Sequence, residues 1–199
     1  MSTDFAEFLA AYRQPWRSLS RSALAAWLVF YALFLLYAWS GRGGFLMIDN
    51  VNLIVHEAGH LLFSYLGHTL MIWGGTILQL FVPLALAAYF AYLRQPAATA
   101  FCAFFFFENF LYISVYMADA RAQALPLVTV GDSDYIEHDW SYIFSSLGVL
   151  QHDLGIAAVV GFLGWLGMIA TLGWLLWRAR ETRQHARAAA GSIQLSSAE

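Results

Sequence analysis

The chain has 199 residues, of which 60% are hydrophobic and 12% charged, with a formal net charge of −3. Soluble domains average about 45–50% apolar and about 25% charged residues, so the composition excludes an ordinary soluble enzyme and points to a one-domain integral membrane protein. The slight negative charge argues against a nucleic-acid partner, and one cysteine, Cys102, excludes an internal disulfide.

Residues 1–21 read as a cytoplasmic or interfacial leader. Phe5, Phe8, Leu9, Tyr12 and Trp16 recur at roughly helical spacing beside Arg13, Arg17 and Arg21, the pattern of a short interfacial helix. The mixed polarity of this stretch argues against a cleavable signal peptide. Residues 23–39 form a first span between Arg21 and Arg42, long enough for a hydrocarbon core of about 30 Å. Gly41-Arg42-Gly43-Gly44 reads as a turn. A second apolar segment covers residues 45–66. The third, residues 71–93, opens with Gly74-Gly75 and is interrupted by Pro83; Gln79, one turn earlier, is expected to bond a carbonyl left unpaired near the proline. Residues 97–117 form the fourth, with Glu108 and Asn109 at mid-span.

Residues 119–139 make the longest polar connection, where Asp119 and Arg121 are expected to form a surface pair. A short apolar stretch (140–150), a last span rich in Gly and Trp (155–177) and a polar tail (178–199) complete the chain. The expected fold class is all-α: a polytopic membrane helical bundle of about six segments, one short or re-entrant, with the membrane-embedded domain over residues 22–177. Arginines cluster before the first span and after the last, which places both termini in the cytoplasm. An even number of crossings follows: six, or four if the second segment and the short stretch are re-entrant. The compact size suggests a bacterial plasma membrane.

The chemistry is concentrated in Val55-His56-Glu57-Ala58-Gly59-His60-Leu61-Leu62. On a helix, His56 and His60 stand one turn apart on one face, about 5–6 Å between Cβ atoms. Two imidazoles at that spacing can bind one Zn2+ ion, with Glu57 as the general base that activates water. A charged side chain at the centre of a membrane helix costs about 2.5–3.5 kcal/mol on insertion scales, so this cluster calls for a function. Ala58 and Gly59 are small enough to admit another helix or a substrate strand. A third ligand is needed. Glu137-His138-Asp139-Trp140 supplies the first candidates, His138 and Asp139; His152, Asp153 and Glu108 stay open as alternatives. Asn109 is a candidate for binding a substrate backbone, or a cross-link between helices. His68 reads as a loop residue and Phe104–Phe107 as packing or lipid-facing surface.

The motif His56-Glu57-Ala58-Gly59-His60 in a hydrophobic segment, followed by Gly74-Gly75 and a further apolar span, resembles the site-2 protease group of integral-membrane zinc metalloproteases. The resemblance covers the motif and its neighbouring helices, about a quarter of the chain. It implies that His56 and His60 are zinc ligands, that Glu57 is the catalytic base, and that an Asp from a later helix completes the site. The group's later Asn-Pro-x-x-Asp-Gly type motif is absent, and Asp139 is the nearest candidate for its Asp, so the chain reads as a divergent member. The expected function is zinc-dependent hydrolysis of peptide bonds in or near the bilayer, on a membrane protein or peptide substrate. Two other readings stand beside it: a zinc-dependent hydrolase of a lipid amide or ester, and a non-enzymatic metal-binding membrane protein or transporter.

Overall fold

A computed structural model describes residues 14–41, 44–126 and 137–196, with side chains to Gln184. Its helices are α1 (Arg21–Ser40), α2 (Asp49–Phe63), α3 (His68–Tyr92), α4 (Pro96–Ala118), α5 (Asp139–Ser146) and α6 (Asp153–Ser196), with no strand among the described residues. The all-α bundle of about six segments is therefore observed. Four stretches are long and apolar enough to cross a membrane: α1, α3, α4 and Leu150–Gln184, which takes in most of α6. The 15 residues of α2 rise only about 22 Å, short of a core of about 30 Å. Helix α5, with 8 residues, is shorter still. Of the two crossing numbers expected, helix length favours four.

Local chemistry sets the boundaries. Ser20 caps α1 by accepting the Ala23 N–H at 3.1 Å. Pro96 opens α4 at its first turn, where its missing N–H costs nothing. Between α2 and α3 the chain turns at Gly67, whose φ of +98° is open to glycine without strain. That turn folds α3 back against α2. The two backbones then touch: a Cβ on Gly59 would lie 2.2 Å from the Gly74 carbonyl oxygen. Gly74-Gly75 is thus an interior stretch of α3 where a second helix comes close, the small-residue packing that membrane helices use. Similarly, α6 meets α4 through Gly164 and Gly167; a Cβ on Gly167 would lie 2.0 Å from Phe107 Cδ1.

Two apolar clusters hold the bundle. Tyr31, Phe104, Met168 and Leu175 are fully buried where α1, α4 and α6 meet, so the phenylalanine run begins as packing surface. Ile72, Ile113, Trp140, Ile143 and Phe144 form the second cluster. It pins α5 against α3 and α4, although α5 is too short to be a span.

Several expectations change. Residues 14–20 carry no helix, and the rest of the proposed interfacial helix, residues 4–13, lies outside the described residues, as do Arg42-Gly43 of the expected turn and residues 127–136 of the polar connection. Asp119 and Arg121 do not pair with each other. Arg121 reaches forward to Asp153, with Nε and Nη2 at 2.8 and 2.7 Å from Oδ1. Asp119 instead accepts the backbone N–H groups of Ala124 and Leu125 at 2.9 and 3.0 Å. The polar tail continues α6 to Ser196 without a break at residue 178.

Candidate metal centre

Helix α2 buries one stripe, Asp49, Asn52, His56 and Gly59, at the spacing of a single helical face. It faces a matching stripe on α3 made of Ile72, Gly75, Thr76 and Gln79. The two histidines project where these faces meet, their ring centroids 4.7 Å apart. One side-chain ligand atom of each of His56, Glu57 and His60 lies within 4.8 Å of the others.

Asp139 comes to this point from α5. Its Oδ2 lies 2.8 Å from His56 Nε2 and 3.2 Å from His60 Nε2. Burial of Trp140, Ile143 and Phe144 fixes the first turn of α5, and the Tyr116 hydroxyl accepts the Asp139 N–H at 3.3 Å.

The other nitrogen of each imidazole is engaged. His56 Nδ1 lies 3.0 Å from Gln79 Oε1, and His60 Nδ1 lies 2.8 Å from the Met71 carbonyl oxygen. Both partners are acceptors, so a proton on each Nδ1 leaves each Nε2 able to present a lone pair, the tautomer a metal ligand needs. In that tautomer two lone pairs and a carboxylate oxygen converge on one point. Such an arrangement could hold a cation. A zinc ion with bonds of about 2.0 Å separates its ligand atoms by roughly 3.3 Å, close to the observed contacts. The backbone leaves room there as well: a Cβ on Gly75 would lie 2.6 Å from His56 Nε2 and 2.7 Å from His60 Nε2. The donor set of two imidazoles and one carboxylate fits zinc.

His138 is not brought to this point. Its Nδ1 accepts the Ser141 N–H at 3.2 Å, capping α5, while its Nε2 stands 3.4 Å from Asp119 Oδ2. With Nδ1 capping the helix, His138 positions the element that delivers Asp139. Burial leads in pulling its pKa below the usual histidine value, which suits the neutral, accepting form. The remaining candidates are elsewhere. His152 is exposed and Asp153 is held by Arg121. Glu108 accepts from Asn52 Nδ2 at 2.9 Å, and the same amide reaches Asp49 Oδ1 at 3.0 Å. His68, at the start of α3, lies 3.0 Å from Glu137. Asn109 donates back to the Phe105 carbonyl at 2.7 Å and does not line the cavity that holds Glu57.

That cavity, about 210 Å³, is lined by His56 and Glu57 together with Asp49, Leu53, Tyr112 and Tyr116. Glu57 therefore stands beside the metal position on the side where a small volume is open. Sequence reasoning missed Tyr112 and Tyr116, one turn apart on the cavity wall, and gave Gln79 a different role. The signal for Gln79 was its spacing: it lies one turn after Gly75, on the face of α3 turned to the motif.

Gln79→Leu should weaken zinc binding by about 10–100-fold, the usual effect of losing a group that orients a ligand. Zinc titration against a competing chelator measures it; an unchanged affinity would show that the Gln79 contact does not orient His56.

Comparison with protein-family models, with curated proteins and with solved structures finds no match.

Proposed function

We propose that the protein is a zinc-dependent intramembrane metallopeptidase. One observation carries this reading: His56 Nε2 and His60 Nε2 converge on Asp139 Oδ2 with both Nδ1 atoms tied to acceptors, beside a cavity that contains Glu57. His56, His60 and Asp139 would hold the ion. Bound there, zinc supplies a Lewis acid that polarises a carbonyl and lowers the pKa of water to about 7.

The chain's own groups do the remaining work. The Glu57 carboxylate takes a proton from the attacking water and returns it to the amine nitrogen as the peptide bond breaks. Gln79 and the Met71 carbonyl keep the two imidazoles in the ligating tautomer. Tyr112 and Tyr116 wall the cavity and limit the water that reaches it. A membrane helix has its backbone hydrogen bonds satisfied, so a substrate segment must unwind locally to present its peptide bond. Four crossings would leave both ends of the chain on one side, in keeping with the arginine clusters at each end. Helices α2 and α5 would then enter the membrane without crossing it.

The test is turnover in liposomes with two substrates side by side, a membrane-embedded peptide and an N-acyl or ester lipid. Cleavage of the peptide alone is expected. Exclusive turnover of the lipid would replace the peptidase reading with a lipid hydrolase on the same metal site.

A further inference from the structure

A second cavity, about 250 Å³, lies on the other side of α2 from Glu57. Ile48, which precedes α2, and Val51 and Val55 of α2 face Val82, Pro83 and Leu86 of α3 and Phe101 and Phe105 of α4 across it. Val51 and Leu86 are themselves exposed, so the cavity opens towards the lipid-facing side of the bundle. Gln79 and Asn109 also line this apolar space. They are 1% and 3% exposed, yet Gln79 Nε2 and Asn109 Oδ1 have no hydrogen-bond partner. Gln79 spends its oxygen on His56 and Asn109 spends its nitrogen on Phe105. One amide donor and one amide acceptor are left over. Buried polar atoms are rarely left without partners, and such an exception calls for an explanation.

We infer that this cavity is a backbone-binding subsite, which takes an unwound stretch of a membrane-embedded polypeptide. A peptide unit whose helix is broken has one N–H and one C=O to satisfy, and hydrocarbon offers neither a partner. Gln79 Nε2 donates to the C=O, and Asn109 Oδ1 accepts the N–H. The apolar walls take the flanking side chains. Gln79 links the two cavities, because its oxygen holds the His56 ring that lines the Glu57 cavity. A segment held at this subsite is one side chain away from the metal centre. The identity of the occupant rests on the peptidase reading; the binding itself is measured without catalysis.

The experiment uses full-length Glu57→Gln protein in liposomes, with benzoylphenylalanine in place of Phe101 as a photo-crosslinker on the cavity wall. The probes are two biotinylated leucine-alanine membrane peptides, one with a central Gly-Gly pair that weakens its helix and one without. The Gly-Gly peptide should give the stronger adduct. Asn109→Leu should lower that adduct roughly fivefold, the worth of about one hydrogen bond. Gln79→Glu, which keeps an acceptor for His56 and removes the donor, should do the same. Equal adducts with both peptides, adducts indifferent to Asn109→Leu and Gln79→Glu, or no adduct at all would overturn the subsite. Failure of the peptidase reading would appear separately, as absence of peptide turnover by the wild type while the selective adduct persists.

Discussion

On the peptidase reading, Glu57→Gln is expected to retain the metal and to lose peptide turnover by about 10²–10⁴-fold, the range that a positioned general base contributes. The substitution is isosteric and leaves His56, His60 and Asp139 in place, so zinc content and thermal stability should stay at the wild-type level. Rates in liposomes, read beside metal content on the same preparation, check it. Activity within a few-fold of wild type would remove Glu57 from the chemistry. Loss of metal together with activity would make it a ligand, which its position within 4.8 Å of both imidazoles also permits.

Asp139 and His138 give the second large contrast. They are adjacent in sequence, both buried and both able to bind zinc. The fold separates them: Asp139 meets both imidazoles, while His138 caps α5 and faces Asp119. Asp139→Ala is expected to abolish stable zinc binding and with it turnover, because two imidazoles alone do not make a catalytic zinc site. His138→Asn, which keeps a side chain able to cap, should retain zinc and cost no more than about 1 kcal/mol of stability. Metal analysis and thermal unfolding of the two variants separate the roles. Zinc lost from His138→Asn and retained in Asp139→Ala would reverse the assignment.

How much of this was legible in the sequence follows from whether a feature is local. His56, Glu57 and His60 could be read because a helix places residues four apart on one face, whatever surrounds it. The spans could be read because apolar length is a property of the segment itself. The choice between His138 and Asp139 could not, since it depends on which way α5 turns when Trp140, Ile143 and Phe144 are buried. Gln79 was drawn to Pro83 by proximity in sequence, whereas the partner that holds it is His56, on another helix. Arg121 was likewise paired with its neighbour Asp119, and instead reaches Asp153. Gly74-Gly75 lay inside an apolar segment with no local reason for glycine. Only the approach of α2, with Gly59 against Gly74, shows why glycine stands in the middle of a helix there. The spacing between Gly75 and Gln79 was the local clue to a face turned toward the metal.

The central claim is that three side chains from α2 and α5 hold one zinc ion. Its most direct test is elemental analysis of the purified full-length protein in detergent after zinc loading and removal of excess metal. The account predicts about one zinc per chain for the wild type and Glu57→Gln, and none for His56→Ala, His60→Ala or Asp139→Ala. A wild type without zinc, or zinc retained undiminished in those three variants, would contradict it.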